Sequence, residues 1–260
     1  MNEFYDFVLK DLDLKNKIIL DAAVGAGEST YFWAKRIDEQ GGTSKIISID
    51  AFDIPIISEK EWKEEIKKRL GKYNKYVQLK KADIFDLNFL ENEEIDIVNC
   101  DDTLVFLNPK PLKLLSVLKG FHRVLKPSGD LIITSEIPIE HIKNPSYEGQ
   151  WRRWNLAKAI YCLKGETWSS EPLPEEVKFA LQLMGFKVYA EKTFPKKKNF
   201  KYQECMNEWK AIMLNDIKNL AWDNLKDTLI ESVDMVYRKV KKDGYLMNPA
   251  LYILKCRKII

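Results

Sequence analysis

Short apolar runs alternate with amphipathic segments through the first half of this 260-residue chain, and that rhythm restricts the available folds more than any other feature. "KIILDA" (17–22), "KIISID" (45–50), "YVQLKKA" (76–82), "IDIVNC" (95–100) and "DLIITSE" (130–136) are short, rich in β-branched residues and read as strands. Between them, "TYFWAKRIDE", "SEKEWKEEIKKRL" and "PKPLKLLSVLKGFHRVL" carry apolar residues at helical spacing, and the last stops at "KPSG", a helix end followed by a turn. Strand and helix in turn mean repeated βαβ units. The fold class is therefore α/β, a doubly wound, mostly parallel sheet with right-handed crossovers. In such sheets a ligand binds outside the carboxyl ends of the strands, where strand order reverses, and the first strand borders that point.

What leaves the first strand is unusually small. In "KIILDAAVGAGEST", Gly25 and Gly27 let the backbone turn tightly with no side chain between it and a ligand, and the helix that follows offers unpaired N–H groups. A lone Gly-x-Gly also serves any tight strand-to-helix turn. The second acidic residue sharpens the pattern: Asp50 ends the second strand, 23 positions after Gly27, where nucleoside binders put a carboxylate against the ribose hydroxyls. Asp83 in "KKADIFDL" follows the third strand within reach of an adenine amino group, and "NCDDTL" follows the fourth, beside the reacting end of a ligand laid across the sheet.

Taken in order, "ILDAAVGAG", "ISIDAF", "KADIFDL", "IDIVNCDDTLVFL" and "LLSVLKGFHRVLKPSGDLIITSEI" resemble the class I S-adenosylmethionine-dependent methyltransferases. "LPEEVKFALQLMGFKVYAEKTF" is similar to their later helix and sixth strand, and "NPALYILKCRKI" to their seventh. The resemblance implies a Rossmann-like seven-stranded sheet with an antiparallel last strand. It implies one methyltransferase domain over 1–260, with a core of 17–140, 172–194 and 248–259 and lid insertions at 141–171 and 195–247. It also implies S-adenosylmethionine as cofactor and S-adenosylhomocysteine as product. Asp21, Ala23, Gly25 and Gly27 would form the loop around the methionine part, and Asp50 with Ala51 would hold the ribose. Asp83 and Ile84 would sit against the adenine, and Cys100 and Asp101 would line the wall near the sulfonium. Two departures from the family stand out: Ala23 replaces its first loop glycine, and Val105 and Phe106 replace a Glu-His pair that many relatives carry. The rival on this fold, a nicotinamide-dependent oxidoreductase, requires glycine at position 30, and the chain has Thr30.

Methyl transfer from a sulfonium needs alignment, exclusion of water and, for some acceptors, removal of a proton. The candidate proton acceptors are Glu136 and His141 in "TSEIPIEH", just beyond the fifth strand, with an ordinary loop histidine as the alternative for His141. The other histidine, His122, falls in the helix before "KPSG" and reads as packing or surface.

Acceptor choice should come from the two insertions, which leave from the carboxyl edge that holds the cofactor and would meet above the methyl group. One includes "QWRRWNLAKAIYCLKG"; the other reads as one broken or two consecutive amphipathic helices. Trp151, Arg152 and Trp154, with Arg153 between, offer aromatic and cationic groups to a planar or anionic small molecule, although a spacing of three also suits core packing. An RNA acceptor is the alternative. Six lysines against one glutamate in residues 187–201 could hold phosphates, but the net charge of +3 (42 basic, 39 acidic residues) is no nucleic-acid footprint. A non-catalytic cofactor-binding protein is the alternative of another class.

The remaining composition excludes more than it assigns. No run of ~18 apolar residues suggests a membrane span, and the N-terminus is acidic and amphipathic where a signal peptide would be basic and then apolar, so a cytoplasmic protein is expected. Cys100, Cys162, Cys205 and Cys256 show no CxxC spacing; free thiols are expected, no metal ligand set is assigned, and a thiophilic metalloid acceptor is a minor alternative.

Overall fold

The computed structural model describes residues 3–51, 58–107, 113–138, 145–166 and 170–259. His141 lies outside the described residues. In chain order the elements are α1 (Glu3–Leu9), β1 (Ile18–Ala22), α2 (Glu28–Glu39), β2 (Lys45–Asp50), α3 (Glu59–Leu70), β3 (Val77–Lys81), β4 (Ile95–Asp101), α4 (Leu104–Leu107), α5 (Lys113–Val124) and β5 (Leu125–Glu136). They continue with α6 (Glu148–Leu163), α7 (Pro174–Leu183), β6 (Phe186–Phe194), β7 (Lys197–Asn199), α8 (Gln203–Lys218), α9 (Asp223–Asp243), β8 (Leu246–Asn248) and β9 (Leu251–Lys258).

Seven strands form one sheet in the order β3-β2-β1-β4-β5-β9-β6. Parallel ladders join β1 to β2 and β4, β2 to β3, and β4 to β5, while β9 is the antiparallel strand. The order reverses between β1 and β4, so the loops after these two strands border the crevice where such sheets bind ligands. The central strands are buried on both faces, which is why they read as unbroken apolar runs: Ile19, Leu20, Ile46, Ile49, Val98, Leu131, Ile132 and Ile133 are all inaccessible to solvent. At the edge, β6 alternates exposed and covered residues instead.

Local signals set the helix ends. Ser58 and Glu61 close a capping box on α3, the Glu61 carboxylate accepting from Ser58 N–H at 2.7 Å and the Ser58 hydroxyl accepting from Glu61 N–H at 3.2 Å. Pro174 opens α7 with its fixed φ, and Gly244 ends α9 in the left-handed region. "KPSG" differs from the sequence expectation. It is not a free turn but part of β5, which pairs Leu125 with Ile95, bulges, and resumes with Asp130 opposite Ile97; Ser128 takes a φ of 59° inside the bulge.

The chain divides into two compact units, Met1–Ser135 with Pro172–Thr193 and Tyr252–Ile260, and Glu136–Glu171 with Phe194–Leu251. The first holds the sheet. The second has its own core, in which α8 contributes Met206, Trp209, Met213 and Ile217, and α9 contributes Val233, Val236 and Val240, each set at helical spacing. Ala157 and Ile160 of α6 complete it. α8 and α9 are two separate helices, and β7 pairs antiparallel with β8 in a small ribbon that no apolar run announced.

Candidate cofactor site

The loop after β1 is fixed from both sides. Ala23 and Val24 each donate their N–H to the Ile49 carbonyl at 2.9 Å, tying the loop to β2. Val24 is buried in a cluster with Trp62, Ile66 and Leu70 of α3, and the Trp62 indole N–H donates to the Gly25 carbonyl at 3.2 Å. Ala23, Gly25 and Gly27 have φ of 72°, 51° and 80°, so every second residue of the loop is left-handed. A Cβ at Gly27 would stand 3.0 Å from Ile66 Cδ1, whereas one at Gly25 would meet nothing within 4 Å. Gly27 is favoured by its positive φ, and a side chain there would also press on Ile66. Gly25, which is exposed, puts no side chain between its backbone and a ligand.

Asp50, the last residue of β2, accepts the Gly25 N–H on Oδ2 at 2.8 Å. That bond joins the glycine loop to the acidic residue at the end of the second strand. Past β3, the Asp83 carboxylate accepts from Phe85 N–H at 3.0 Å, a short side-chain turn that exposes Asp83 and buries the neighbouring Ile84.

Two carboxylates lie deeper. Asp21 of β1 is fully buried and accepts from Asn99 Nδ2 at 2.8 Å, from the Ser29 hydroxyl at 3.3 Å and from the Thr30 hydroxyl. Burial pushes its pKa up to about 6 although all three donors oppose the rise. Asp101, at the end of β4, accepts from the Tyr5 hydroxyl at 2.9 Å and from the Thr134 hydroxyl, and burial raises its pKa too. Tyr5 stacks on Phe32 at 4.1 Å, so α1 and α2 hold it over Asp101. Burial drives the neighbouring Cys100 thiol up to about 12, which keeps it protonated.

The strand order, the left-handed loop after β1 and the acidic residue at the end of β2 describe a nucleoside-type crevice without deciding the chemistry. The methyltransferase domain family matches residues 13–178, well over half of the chain. The chain belongs to the methyltransferase domain family. No curated protein matches it. Among solved structures, this methyltransferase is similar to a candidate methyltransferase from Bacillus halodurans C-125, 17% identical, over 100% of this chain and 99% of that one, with a TM-score of 0.61. It is similar to a SAM-dependent methyltransferase from Methanosarcina mazei, 14% identical over 98% of both chains, TM-score 0.59. A geranyl diphosphate methyltransferase in complex with GPP and sinefungin is 12% identical over 99% of this chain and 76% of that one, TM-score 0.55. At these identities the likeness is one of fold: a class I, Rossmann-like sheet.

Gly25 and Asp50 are thus joined by a hydrogen bond, Ala23 is tied to β2, Asp21 is bonded separately to Ser29, Thr30 and Asn99, and Cys100 and Asp101 close the end of β4. Ala51 is exposed at the point where the described segment ends. Glu136 is the last residue of β5. In the helical unit, Trp151 is 43% exposed and so is not core, and Trp154 is partly buried. Arg152 is exposed and paired with Glu148, Nη2 to Oε1 at 2.7 Å. His122 packs its ring edge against Phe186 at 5.5 Å, a packing residue as its helix position suggests. All four cysteines are free thiols, and no cluster of three metal-ligating side chains occurs among the described residues.

Sequence reasoning missed Tyr5, Trp62, Thr30 and Asn99. Thr30 and Ser29 carried a usable signal, since hydroxyls in the first turn of the helix after a strand-end aspartate stand close enough to donate to it. Tyr5, 96 residues from Asp101, carried none.

Proposed function

We propose that this methyltransferase uses S-adenosylmethionine to methylate a small or medium-sized molecule, with the helical unit acting as a lid over the acceptor. The observation that carries the reading is the bond between Gly25 N–H and Asp50, which couples the glycine loop to the carboxylate a ribose requires, within a chain of this family. The residues fit such a cofactor. Gly25, with no side chain, lets the methionine part lie close, Asp50 can accept from ribose hydroxyls, and the Ile84 backbone stands beside the Asp83 carboxylate for the adenine. When bound, S-adenosylmethionine supplies an activated methyl group on a sulfonium.

The chain's own part is to hold, align and exclude water. Ala23 to Gly27 and Asp50 orient the donor, and Asp101, fixed by Tyr5 and Thr134, keeps a polar wall at the end of β4. Glu136 takes the acceptor's proton where the acceptor has one to lose, with His141 as the alternative base. Trp151, Arg152 and Trp154 contribute to acceptor contacts. The chain is one methyltransferase domain, with core segments 17–140, 172–194 and 248–259 and lid segments 141–171 and 195–247. Connectivity supports the lid, because the helical segments leave the sheet after β5 and β6, strands parallel to β1. A small-molecule acceptor is supported by the geranyl diphosphate methyltransferase on the same fold. No helix among the described residues is long and apolar enough to cross a membrane, in keeping with action in the cytoplasm.

The test is to incubate the protein with methyl-labelled S-adenosylmethionine and, separately, with a deproteinised small-molecule extract and with total RNA. Label in the small-molecule fraction is expected. Label in RNA alone would replace the acceptor class, and no transfer to either would favour a non-catalytic cofactor-binding protein.

A further inference from the structure

Several cations of the helical unit that lie on its helices are held in ion pairs. Lys164 reaches Glu166 at 2.8 Å and Asp216 at 3.1 Å, Lys210 reaches Asp234 at 2.5 Å, Lys239 reaches Asp243 at 2.6 Å, and Arg152 is engaged by Glu148. Arg153 is different. It is partly buried on α6, and among the described residues no carboxylate oxygen lies within 4.0 Å of its guanidinium. Its Nη1 donates to the Oε1 of Gln150 at 3.1 Å, and Gln150 is itself only 6% exposed. The guanidinium carbon lies 5.7 Å from the centroid of the Trp154 ring.

A guanidinium offers five N–H donors in a planar fork matched to a carboxylate or phosphate edge. One neutral amide oxygen takes one of them. Partly covering such a cation with no carboxylate of the described residues at ion-pair distance is unfavourable, and the cost is offset when an oxyanion completes the pairing. Burial does lower the pKa of Arg153, with Cys205 and Glu136 as the opposing groups. Gln150 fixes the fork, and Trp154 supplies a flat apolar face beside it.

We infer that Arg153, set by Gln150, is the anion-binding element of the acceptor site, and that the acceptor carries a compact oxyanion, either a carboxylate or a phosphate ester. Arg152, one position before it on the helix, is exposed and paired with Glu148, so the partly buried Arg153 and not Arg152 is assigned this role. The inference rests on the methyl-transfer reading, which is what gives the helical unit an acceptor to bind.

The probes are benzoate, its neutral isostere benzamide, and inorganic phosphate, added to the full chain with and without saturating S-adenosylhomocysteine while the melting temperature is followed. Benzoate or phosphate should raise it by ~2 °C or more at saturation, and benzamide should not. Which anion acts separates a carboxylate from a phosphate acceptor. Arg153→Met should lose the shift, and Arg153→Lys should retain part of it. Calorimetric binding of S-adenosylhomocysteine should be unchanged in both variants, which also verifies that they fold. Benzoate and benzamide acting alike, an equal anion shift in Arg153→Met, or no shift with either anion would overturn the inference. Loss of S-adenosylhomocysteine binding by the wild type would instead strike the cofactor reading, and the anion arm would still be read without it.

Discussion

Both units carry surface ion pairs, but they differ in the carboxylates they cover. In the sheet unit, Asp21 is buried and Asp101 partly buried, and each is held by side chains from elements distant in sequence, so their carboxylates are part of the architecture. In the helical unit the ion pairs sit at the surface and join residues of one helix or of adjacent helices, as in the set formed by Glu148, Arg152, Lys239 and Asp243. Buried networks fix geometry at the expense of desolvation, while solvated pairs leave helices free to adjust. A crevice that must place a donor wants the first, and a surface that must admit an acceptor tolerates the second.

The largest effect should come from the second unit's core. Trp209→Ala removes the bulkiest side chain of the cluster formed by α6, α8 and α9 and should cost about 3–5 kcal/mol in urea unfolding. A loss below about 1 kcal/mol would mean that this unit has no tight core of its own.

Next is the pH dependence of Asp21. Its folded pKa of about 6 exceeds the unfolded value of 3.8, so the native state binds the proton more tightly. The contribution is fully present below about pH 4 and is lost as pH rises through about 6, a change of about 3 kcal/mol. Asp21→Asn should remove this component, seen as a flatter pH profile when unfolding free energies of variant and wild type are subtracted between pH 4 and 7. A difference that does not vary with pH would mean that the three donors, and not burial, govern Asp21.

Smaller effects test the loop. Gly27→Ala should cost about 1–2 kcal/mol, from a positive φ combined with the Ile66 contact. Gly25→Ala should cost about 1 kcal/mol, from φ alone. Chemical denaturation of both variants distinguishes the two positions. Trp62→Phe keeps the ring in the cluster but deletes the bond to the Gly25 carbonyl; S-adenosylhomocysteine affinity should fall about fivefold, measured by calorimetry. The smallest effect is expected from Lys239→Ala, whose pairs with Asp243 and Glu148 are solvated. Its unfolding midpoint should stay within measurement error of wild type, and a clear drop would erase the contrast between the two units.

Much of the sheet unit was legible because parallel strands buried on both faces must be apolar throughout: "KIILDA", "KIISID" and "IDIVNC" could be little else. Gly25, Gly27 and Asp50 were legible because backbone conformation and a strand-end carboxylate each demand particular residue types at a particular separation. The Asp21 network was not, since Asn99 lies 78 residues away and nothing in its own surroundings marks it as a partner. The bulge at "KPSG" was hidden because a turn and a bulged strand use the same residues. Arg152 and Arg153 are chemically identical neighbours; only helix phase, and the placement of Glu148 and Gln150, separates the paired guanidinium from the open one.

The central claim is tested most directly by calorimetric titration of S-adenosylhomocysteine and of NAD into the wild type and Asp50→Ala. Micromolar binding of S-adenosylhomocysteine by the wild type, lost in the variant, is the predicted result. Binding of NAD alone, of neither ligand, or of S-adenosylhomocysteine equally by both proteins would contradict it.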